Sequence, residues 1–184
     1  MALFYNSNSN LKAAGVTVQF TQDQVQEYLK CKDDPVYFIA NYCKIVTLDG
    51  GLKKFDLYPC QVNKVKVIHT NRKVILMEGR QQGKTTTSAA YILWYTLFQD
   101  HKTVAILANK AAAAREVLDR YQTMYECLPQ WLQQGVTTWN KGDIELENGS
   151  KVFTAATTAS GIRGKSVNLL YVRSEEHTSE LQSH

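Results

Sequence analysis

Residues 79–86 carry the chemistry that the rest of the chain has to position. Gly83, Lys84 and Thr85 follow a polar loop and precede a long segment with helical apolar periodicity. Backbone N–H groups of such a loop and of a helix N-terminus bind phosphate, and a glycine lets the backbone approach it closely. Lys84 would reach the β- and γ-phosphates of a nucleotide, and the Thr85 hydroxyl would bind Mg²⁺. The pattern predicts a phosphate-binding loop of the Walker A type.

The loop departs from the usual Walker A spacing at its first glycine. The pattern G-x-x-x-x-G-K-[ST] places glycine at position 78, where this chain has Glu78, and Gly79 comes one residue later. The context still favours the motif over a chance Gly-Lys-Thr. Residues 74–77 form an apolar run typical of a buried strand, and residues 86–98 are typical of a helix buried against a sheet.

Length and composition indicate one ordinary globular domain. The chain has 184 residues, of which 44% are hydrophobic and 21% charged, which is enough for a sizeable core. No run approaches the roughly 18–20 apolar residues of a membrane span, and the N-terminus has no signal-peptide pattern, so we expect no membrane association. The four cysteines include no C-x-x-C pair. This favours ordinary buried thiols in a reducing cytoplasm over a zinc or dithiol site.

The charge is mildly basic and unevenly distributed. The net charge is +4, but the last twelve residues contain one Arg and three Glu, so residues 1–172 carry 20 basic and 14 acidic side chains, or +6. This excess permits contact with nucleic acid without demonstrating it.

The first 57 residues predict a small, mostly helical subdomain. We expect residues 1–20 to be a poorly ordered lead-in. Thr21 and Gln24 then form a capping box that starts a helix ending near Asp34. The remaining predicted elements are a short helix over residues 36–45 and a hairpin joining residues 46–48 to residues 54–57 through Asp49-Gly50-Gly51.

Residues 58–172 predict a nucleotide-binding core in which strands and helices alternate. Alternation of this kind implies a parallel sheet. Asn148-Gly149 predicts a tight hairpin turn. The predicted helices span residues 59–69, 86–98 and 110–127, and the predicted strands span residues 74–77, 103–108, 136–139, 143–147, 151–153 and 168–172. We expect the strands at 103–108 and 168–172 to be buried.

Two side chains of this region have open alternatives. Gln61 opens the helix that precedes the loop, where its amide would either hydrogen-bond adenine or be solvated. Arg163 would be a surface cation, a phosphate contact or a subunit-interface contact, and its spacing does not decide between them.

The end of the chain lacks the carboxylates that an ATPase needs. Such enzymes place an Asp and a Glu after a second buried strand, where they hold Mg²⁺ and orient water. Here residues 168–172 are followed by Arg173 and Ser174, and Glu175 and Glu176 come too late to be assigned. Residues 173–184 look like a translated sequencing adapter, so we expect a non-native tail on a fragment of a longer protein.

These motifs together resemble the N-terminal ATPase region of the large terminase subunit of tailed bacteriophages. That family writes its loop as small-Arg-Gln-x-Gly-Lys-[Ser/Thr], which makes Glu78 the residue before the motif. The segments that carry the resemblance are Asp34-Pro-Val-Tyr-Phe-Ile39, Tyr58-Pro-Cys-Gln61, Gly79-Arg-Gln-Gln-Gly-Lys-Thr-Thr86, Val104-Ala-Ile-Leu-Ala-Asn-Lys110, Glu116-Val-Leu-Asp-Arg120, Leu128-Pro129, Trp139-Asn-Lys-Gly-Asp-Ile-Glu-Leu-Glu-Asn-Gly-Ser150 and Arg163-Gly-Lys-Ser-Val167.

The resemblance implies an α/β fold with an incomplete RecA-like P-loop core over residues 58–172, preceded by the helical subdomain. It implies ATP and Mg²⁺ as cofactors, Gln61 as the adenine contact, and Lys84 and Arg80 as catalytic residues, with Arg80 sensing or stabilising the γ-phosphate. Thr85 would be the metal ligand. The implied nucleotide-binding set is Gln61, Gly79, Arg80, Gln81, Gln82, Gly83, Lys84, Thr85 and Thr86.

The resemblance further implies a motor that uses ATP hydrolysis to move double-stranded DNA into a procapsid. Its implied partners are the portal protein, the small terminase subunit and other copies of itself in a ring at the portal vertex in the host cytoplasm. A nuclease domain that cuts concatemers would lie beyond this chain, and we expect the fragment alone to be inactive. The alternatives are a helicase-like nucleic-acid translocase and a nucleotide-binding or unfolded fragment without catalysis.

Overall fold

Two short helices begin the folded part of the chain in the computed structural model, which describes residues 3–47, 50–79, 81–156, 162 and 164–173. Helix α1 (Gln22–Asp33) starts with the predicted capping box. Thr21 Oγ1 accepts a hydrogen bond from Gln24 N at 3.2 Å, and Gln24 Oε1 accepts one from Thr21 N at 3.0 Å. Helix α2 (Pro35–Tyr42) follows directly, with Asp34 as its N-cap. Both helices were predicted and are confirmed.

A hairpin of two antiparallel strands follows, β1 (Lys44–Thr47) and β2 (Gly51–Lys54). The predicted hairpin is therefore present, but both strands begin earlier in the chain than the sequence pattern indicated. Asp49, part of the predicted turn, lies outside the described residues.

Helices α3 (Pro59–Thr70) and α4 (Lys84–Phe98) flank the predicted loop, and both match the sequence prediction closely. Proline stands in the first turn of α3, where its missing N–H costs nothing. Helix α4 packs against α2 and α3 and is buried around most of its circumference. The Trp94 indole N–H donates to the Cys31 carbonyl of α1 at 2.8 Å, which links the N-terminal helices to α4.

The predicted strand over residues 74–77 is wrong. These residues form no regular element, and Ile75 and Met77 are 90% and 91% exposed. A β-strand exists only when a neighbouring strand accepts its backbone hydrogen bonds, and no strand of the described residues pairs with this segment. The apolar run indicates a preference for burial, but burial needs a neighbouring strand or helix, and the described residues provide no strand for this segment.

The remaining elements form a five-stranded sheet with one long helix. They are β3 (Thr103–Ala108), α5 (Ala111–Glu126), β4 (Val136–Trp139), β5 (Asp143–Leu146), β6 (Lys151–Ala156) and β7 (Leu169–Arg173). The strand order is β4-β5-β6-β3-β7. Within the described ranges, no helix is long and apolar enough to cross a membrane.

The sheet is mixed, which corrects the prediction of a parallel sheet. β3 lies between β6 and β7 and is parallel to both. β5 lies between β4 and β6 and is antiparallel to both. The tight turn between β5 and β6 is confirmed, with Gly149 at a φ of 77°. Hairpin turns of this length reverse the chain, so only the strands joined through helices or longer connections are parallel.

The last strand, β7, lies at an edge of the sheet and is only partly covered. Leu170 and Val172 are 49% and 52% exposed, so the prediction of a buried strand is wrong for this element. β3, its neighbour, has five fully buried positions and confirms the corresponding prediction.

The segment before α1 is packed onto the core, contrary to the expected poorly ordered lead-in. Residues 10–15, the N-terminal arm, lie along the start of β4. Lys12 N donates to Gln133 Oε1 at 3.0 Å, and Gly15 N donates to Glu147 Oε2 at 3.0 Å. Leu11 is 1% exposed and belongs to the same hydrophobic cluster as α1, α2, α4 and β3. The boundaries proposed at residues 57/58 and 172/173 stay predictions.

Candidate functional site

The end of the predicted loop leads directly into helix α4. Gln81 and Gly83 both adopt the left-handed backbone conformation, with φ of 63° and 73°, and Gly83 is the N-cap of α4. The Thr87 N–H donates to the Gly83 carbonyl. The N–H groups of residues 84–86 precede it and have no acceptor within the helix. Free donors at a helix N-terminus favour an anion in front of them.

The Lys84 side chain folds back across the loop. Its Nζ donates to the Glu78 carbonyl at 2.6 Å. The ammonium therefore connects the C-terminal end of the loop to its N-terminal end. A phosphate that entered between these ends would meet a positive charge already positioned there, and Lys84 would exchange a carbonyl acceptor for an anionic one.

Gln61 of α3 lies against the same loop and is 4% exposed. Its Oε1 accepts from Tyr58 N at 3.1 Å, and its Nε2 donates to the Gln82 carbonyl at 3.2 Å. A Cβ added at Gly83 would lie 2.6 Å from Gln61 Nε2. Both ends of the amide thus bind the chain itself, and the second lone pair and second N–H remain for the predicted adenine contact.

A buried ion pair beside the loop was missed by the sequence reasoning. Lys64 Nζ lies 2.7 Å from Glu78 Oε2, with side chains 2% and 22% exposed. Lys64 follows Gln61 by three residues, so both side chains project from one face of α3. That spacing, together with a carboxylate immediately before the loop, is the signal by which the pair could have been found.

The part of the chain that holds this loop matches a known protein family. The family model described as terminase large subunit, T4-like-virus type, N-terminal, matches residues 75–173, which is more than half of the 184 residues. The chain belongs to this family. The resemblance drawn from the sequence is confirmed, and membership supports a role in bacteriophage DNA packaging, with DNA and the packaging machinery as general partners.

In this terminase chain, side chains from α5 and β7 reach the first turn of α4. Arg120 Nη1 of α5 donates to Thr86 Oγ1 at 2.8 Å. Burial raises the pKa of Tyr171, and hydrogen bonds with the Ser88 and Thr85 hydroxyls partly oppose that rise. Tyr171, the middle residue of β7, therefore lies near hydroxyl groups at the start of α4. Sequence reasoning assigned no role to Arg120 or Tyr171, because the contacts join residues 34 and more than 80 positions apart.

The end of β7 carries a cation where the terminase resemblance implies a carboxylate. Arg173 Nη1 lies 2.6 Å from Glu116 Oε2, and Arg120 Nη2 lies 2.8 Å from Glu116 Oε1. Hydrogen bonds from Arg120 and then Arg173 hold the pKa of Glu116 below its usual value. Each oxygen of the Glu116 carboxylate thus binds one guanidinium group.

The other predicted site residues are exposed or lie outside the described part of the chain. Gly79, Gln81 and Gln82 are exposed on the loop. Arg80, predicted to contact the γ-phosphate, and Arg163, whose role was left open, lie outside the described residues. The structure therefore brings together Gln61, Gly83, Lys84, Thr85 and Thr86 and adds Lys64, Glu78, Arg120 and Tyr171 around them.

A separate cavity of ≈ 340 Å³ lies between α1, the N-terminal arm and residues 131–134. Its lining is mainly apolar and includes Phe20, Val25 and Trp131 but none of the predicted site residues. We place the candidate site at the loop, because a phosphate cradle is built from backbone N–H groups at a helix end and does not require an enclosed apolar cavity.

Proposed function

We propose that residues 79–86 bind the triphosphate of ATP together with Mg²⁺. The observation that carries the proposal is the conjunction at the start of α4. Gly83 has a left-handed backbone conformation and leaves no room for a Cβ beside Gln61. The first N–H groups of α4 have no acceptor within the helix, and the Lys84 ammonium binds the opposite end of the loop. These donors suit a polyanion, and the Thr85 hydroxyl oxygen suits Mg²⁺.

The residues around the loop fit such a ligand. A side chain at position 83 would collide with Gln61 Nε2, so only glycine fits there, and its bare backbone can approach a phosphate closely. Lys84 and the N–H groups of residues 84–86 would bind phosphate oxygens, and Thr85 would hold the metal ion. Arg120 keeps the neighbouring Thr86 hydroxyl in place. The bound ATP would supply the phosphoanhydride bond whose hydrolysis releases free energy.

In the complete terminase subunit, ATP hydrolysis at this site would drive translocation of double-stranded DNA into the procapsid. The core would then be RecA-like, and Arg80 would stabilise charge on the γ-phosphate. The portal protein, the small terminase subunit and a ring of identical subunits are the proposed partners. DNA contact would be directed at phosphates and sensitive to salt, because a packaging motor must act on every sequence.

A second candidate, nucleotide binding without hydrolysis, is favoured by one specific observation. Hydrolysis needs a carboxylate for the metal ion near the end of β7, and this chain places Arg173 there, paired with Glu116. The 184-residue chain would then bind MgATP but not turn it over. Measuring phosphate release under conditions of saturating MgATP separates the two candidates.

Equilibrium titration of the chain with ATP, with and without Mg²⁺, tests the proposal. We expect saturable binding that Mg²⁺ strengthens and that Lys84→Met weakens at least about tenfold, the effect of losing one charge-assisted hydrogen bond. Lys66→Met is the matched control, because Lys66 is exposed on α3. Equal affinity of the wild type and Lys84→Met would refute the proposal.

A further inference from the structure

The buried ion pair between Lys64 and Glu78 has no part in the function proposed above. A lysine that is 2% exposed is uncommon, because removing an ammonium from water is costly unless a partner compensates it. Its partner, Glu78, precedes the loop by one residue. The pair therefore joins helix α3 to the point where the loop begins.

Helix α3 holds the loop at both ends through one face. Lys64 binds the Glu78 side chain at the N-terminal end, and Gln61 binds the Gln82 carbonyl near the C-terminal end. The backbone leading into the loop has no strand partner among the described residues. Ile75 and Met77 in that segment are exposed while the two polar side chains of α3 are buried. Side-chain contacts from α3, rather than sheet pairing, thus fix the loop's entry.

Glu78 also carries a charge that the proposed ligand would not tolerate. Its backbone carbonyl already accepts the Lys84 ammonium at 2.6 Å, so its carboxylate is attached to the same residue that holds Lys84. Without Lys64, that carboxylate would be free to pair with Lys84, whose ammonium already binds the carbonyl of the same residue. The carboxylate would then compete with phosphate for the ammonium and would repel a polyanion.

We propose that Lys64 is a positioning residue that holds the Glu78 carboxylate away from Lys84 and the phosphate cradle. The statement that Lys64 anchors the loop depends only on the contacts of α3, whereas the statement that Lys64 affects nucleotide affinity rests on the proposed function. The role predicts an asymmetry. Removing Lys64 releases a competing anion, whereas removing the Glu78 carboxylate releases none.

Three variants of the 184-residue chain test this role: Lys64→Met, Glu78→Gln and the double variant Lys64→Met/Glu78→Leu. We expect MgATP affinity to fall about tenfold in Lys64→Met, because a displaced ammonium lowers the binding-competent fraction. Glu78→Gln keeps an oxygen acceptor for the buried Lys64 ammonium but carries no charge, so we expect it to bind at least as tightly as the wild type. The double variant returns to within about threefold, since an apolar pair of similar volume replaces a buried ion pair well. Lys66→Met is the charge-matched control on the same helix and stays at the wild-type value.

A purely structural role gives a different pattern. If the pair only stabilises the fold, both single variants lose affinity alike, and that result overturns the proposal, as does wild-type affinity in Lys64→Met. Should Lys64→Met fail to fold, Lys64→Gln takes its place. An amide holds the Glu78 carboxylate less strongly than an ammonium does, so MgATP affinity should still fall, and wild-type affinity in Lys64→Gln would overturn the proposal.

Hydrogen exchange without nucleotide keeps this proposal separate from the function proposed above. Amides of residues 81–86 exchange faster in Lys64→Met than in the wild type and recover in the double variant. Failure of the wild type to bind ATP would refute only the proposal of nucleotide binding. The exchange data would still test whether Lys64 anchors the loop. Unchanged exchange in Lys64→Met would refute the anchor.

Discussion

Replacing Gly83 by alanine tests how tightly the loop is held against α3. Gly83 has a φ of 73°, and its added Cβ would lie 2.6 Å from Gln61 Nε2. The left-handed conformation costs a residue with a Cβ about 1–2 kcal/mol. Moving the amide sacrifices one or both of its hydrogen bonds, at about 0.5–1.5 kcal/mol each. We expect the free energy of unfolding to fall by about 1.5–5 kcal/mol.

Gly51 and Gly164 provide matched controls for this substitution. Both have positive φ, 64° and 78°, but a Cβ added at either would meet nothing within 4 Å. Their alanine variants should lose only the conformational part, about 1–2 kcal/mol. Urea unfolding measures all three, and in a Gln61→Ala background the excess at Gly83 should disappear. The reasoning is refuted if Gly83→Ala costs no more than Gly51→Ala, or if the excess survives removal of the Gln61 amide.

Three further predictions concern the N-terminal arm, the contact of α1 with α4, and the end of β7. Burial alone would raise the pKa of Glu147, but the Gly15 and Gly135 N–H groups and Lys12 outweigh burial and hold that pKa below its usual 4.5. The contribution of the Glu147 carboxylate to the free energy of unfolding is therefore complete above pH 4.5 and disappears as the pH falls through the lowered pKa. Urea unfolding of the wild type and Glu147→Gln should accordingly show a stability difference that vanishes in acid. Trp94→Phe leaves the Cys31 carbonyl without its indole donor and should cost about 1–3 kcal/mol in the same assay; a loss below about 0.5 kcal/mol would contradict the link between α1 and α4. Arg173→Asp places a carboxylate at the end of β7 and should strengthen ATP binding only when Mg²⁺ is present, and a Mg²⁺-independent change would contradict this.

Local signals in the sequence predicted local structure well. The Thr21 and Gln24 capping box, the Asn148-Gly149 turn and the helical periodicity of α5 each depend on residues within a few positions of one another. The phosphate-loop pattern likewise placed the start of α4 within two residues, at 86 instead of Lys84, and a glycine before Lys-Thr suits a left-handed N-cap. Such features need no knowledge of the rest of the fold.

The features that the sequence did not predict depend on distant partners. The strand expected over residues 74–77 needs a neighbouring strand, and its apolar pattern says nothing about which one. The N-terminal arm is held through Gly15 and Glu147, which are 132 positions apart. The ion pair of Lys64 with Glu78 also depends on α3 folding over the loop. These contacts follow from the tertiary arrangement and not from local preference.

Hydrogen exchange of the backbone amides of residues 84–86, with and without MgATP, tests the central claim most directly. These N–H groups have no acceptor within α4, so a bound triphosphate would supply one. We predict that MgATP, at the concentration that half-saturates the wild type, slows their exchange in the wild type and slows it much less in Lys84→Met, which binds at least about tenfold more weakly. Exchange at residues 84–86 that MgATP does not alter in the wild type, or protection confined to another part of the chain, would contradict the assignment of the phosphate-binding loop.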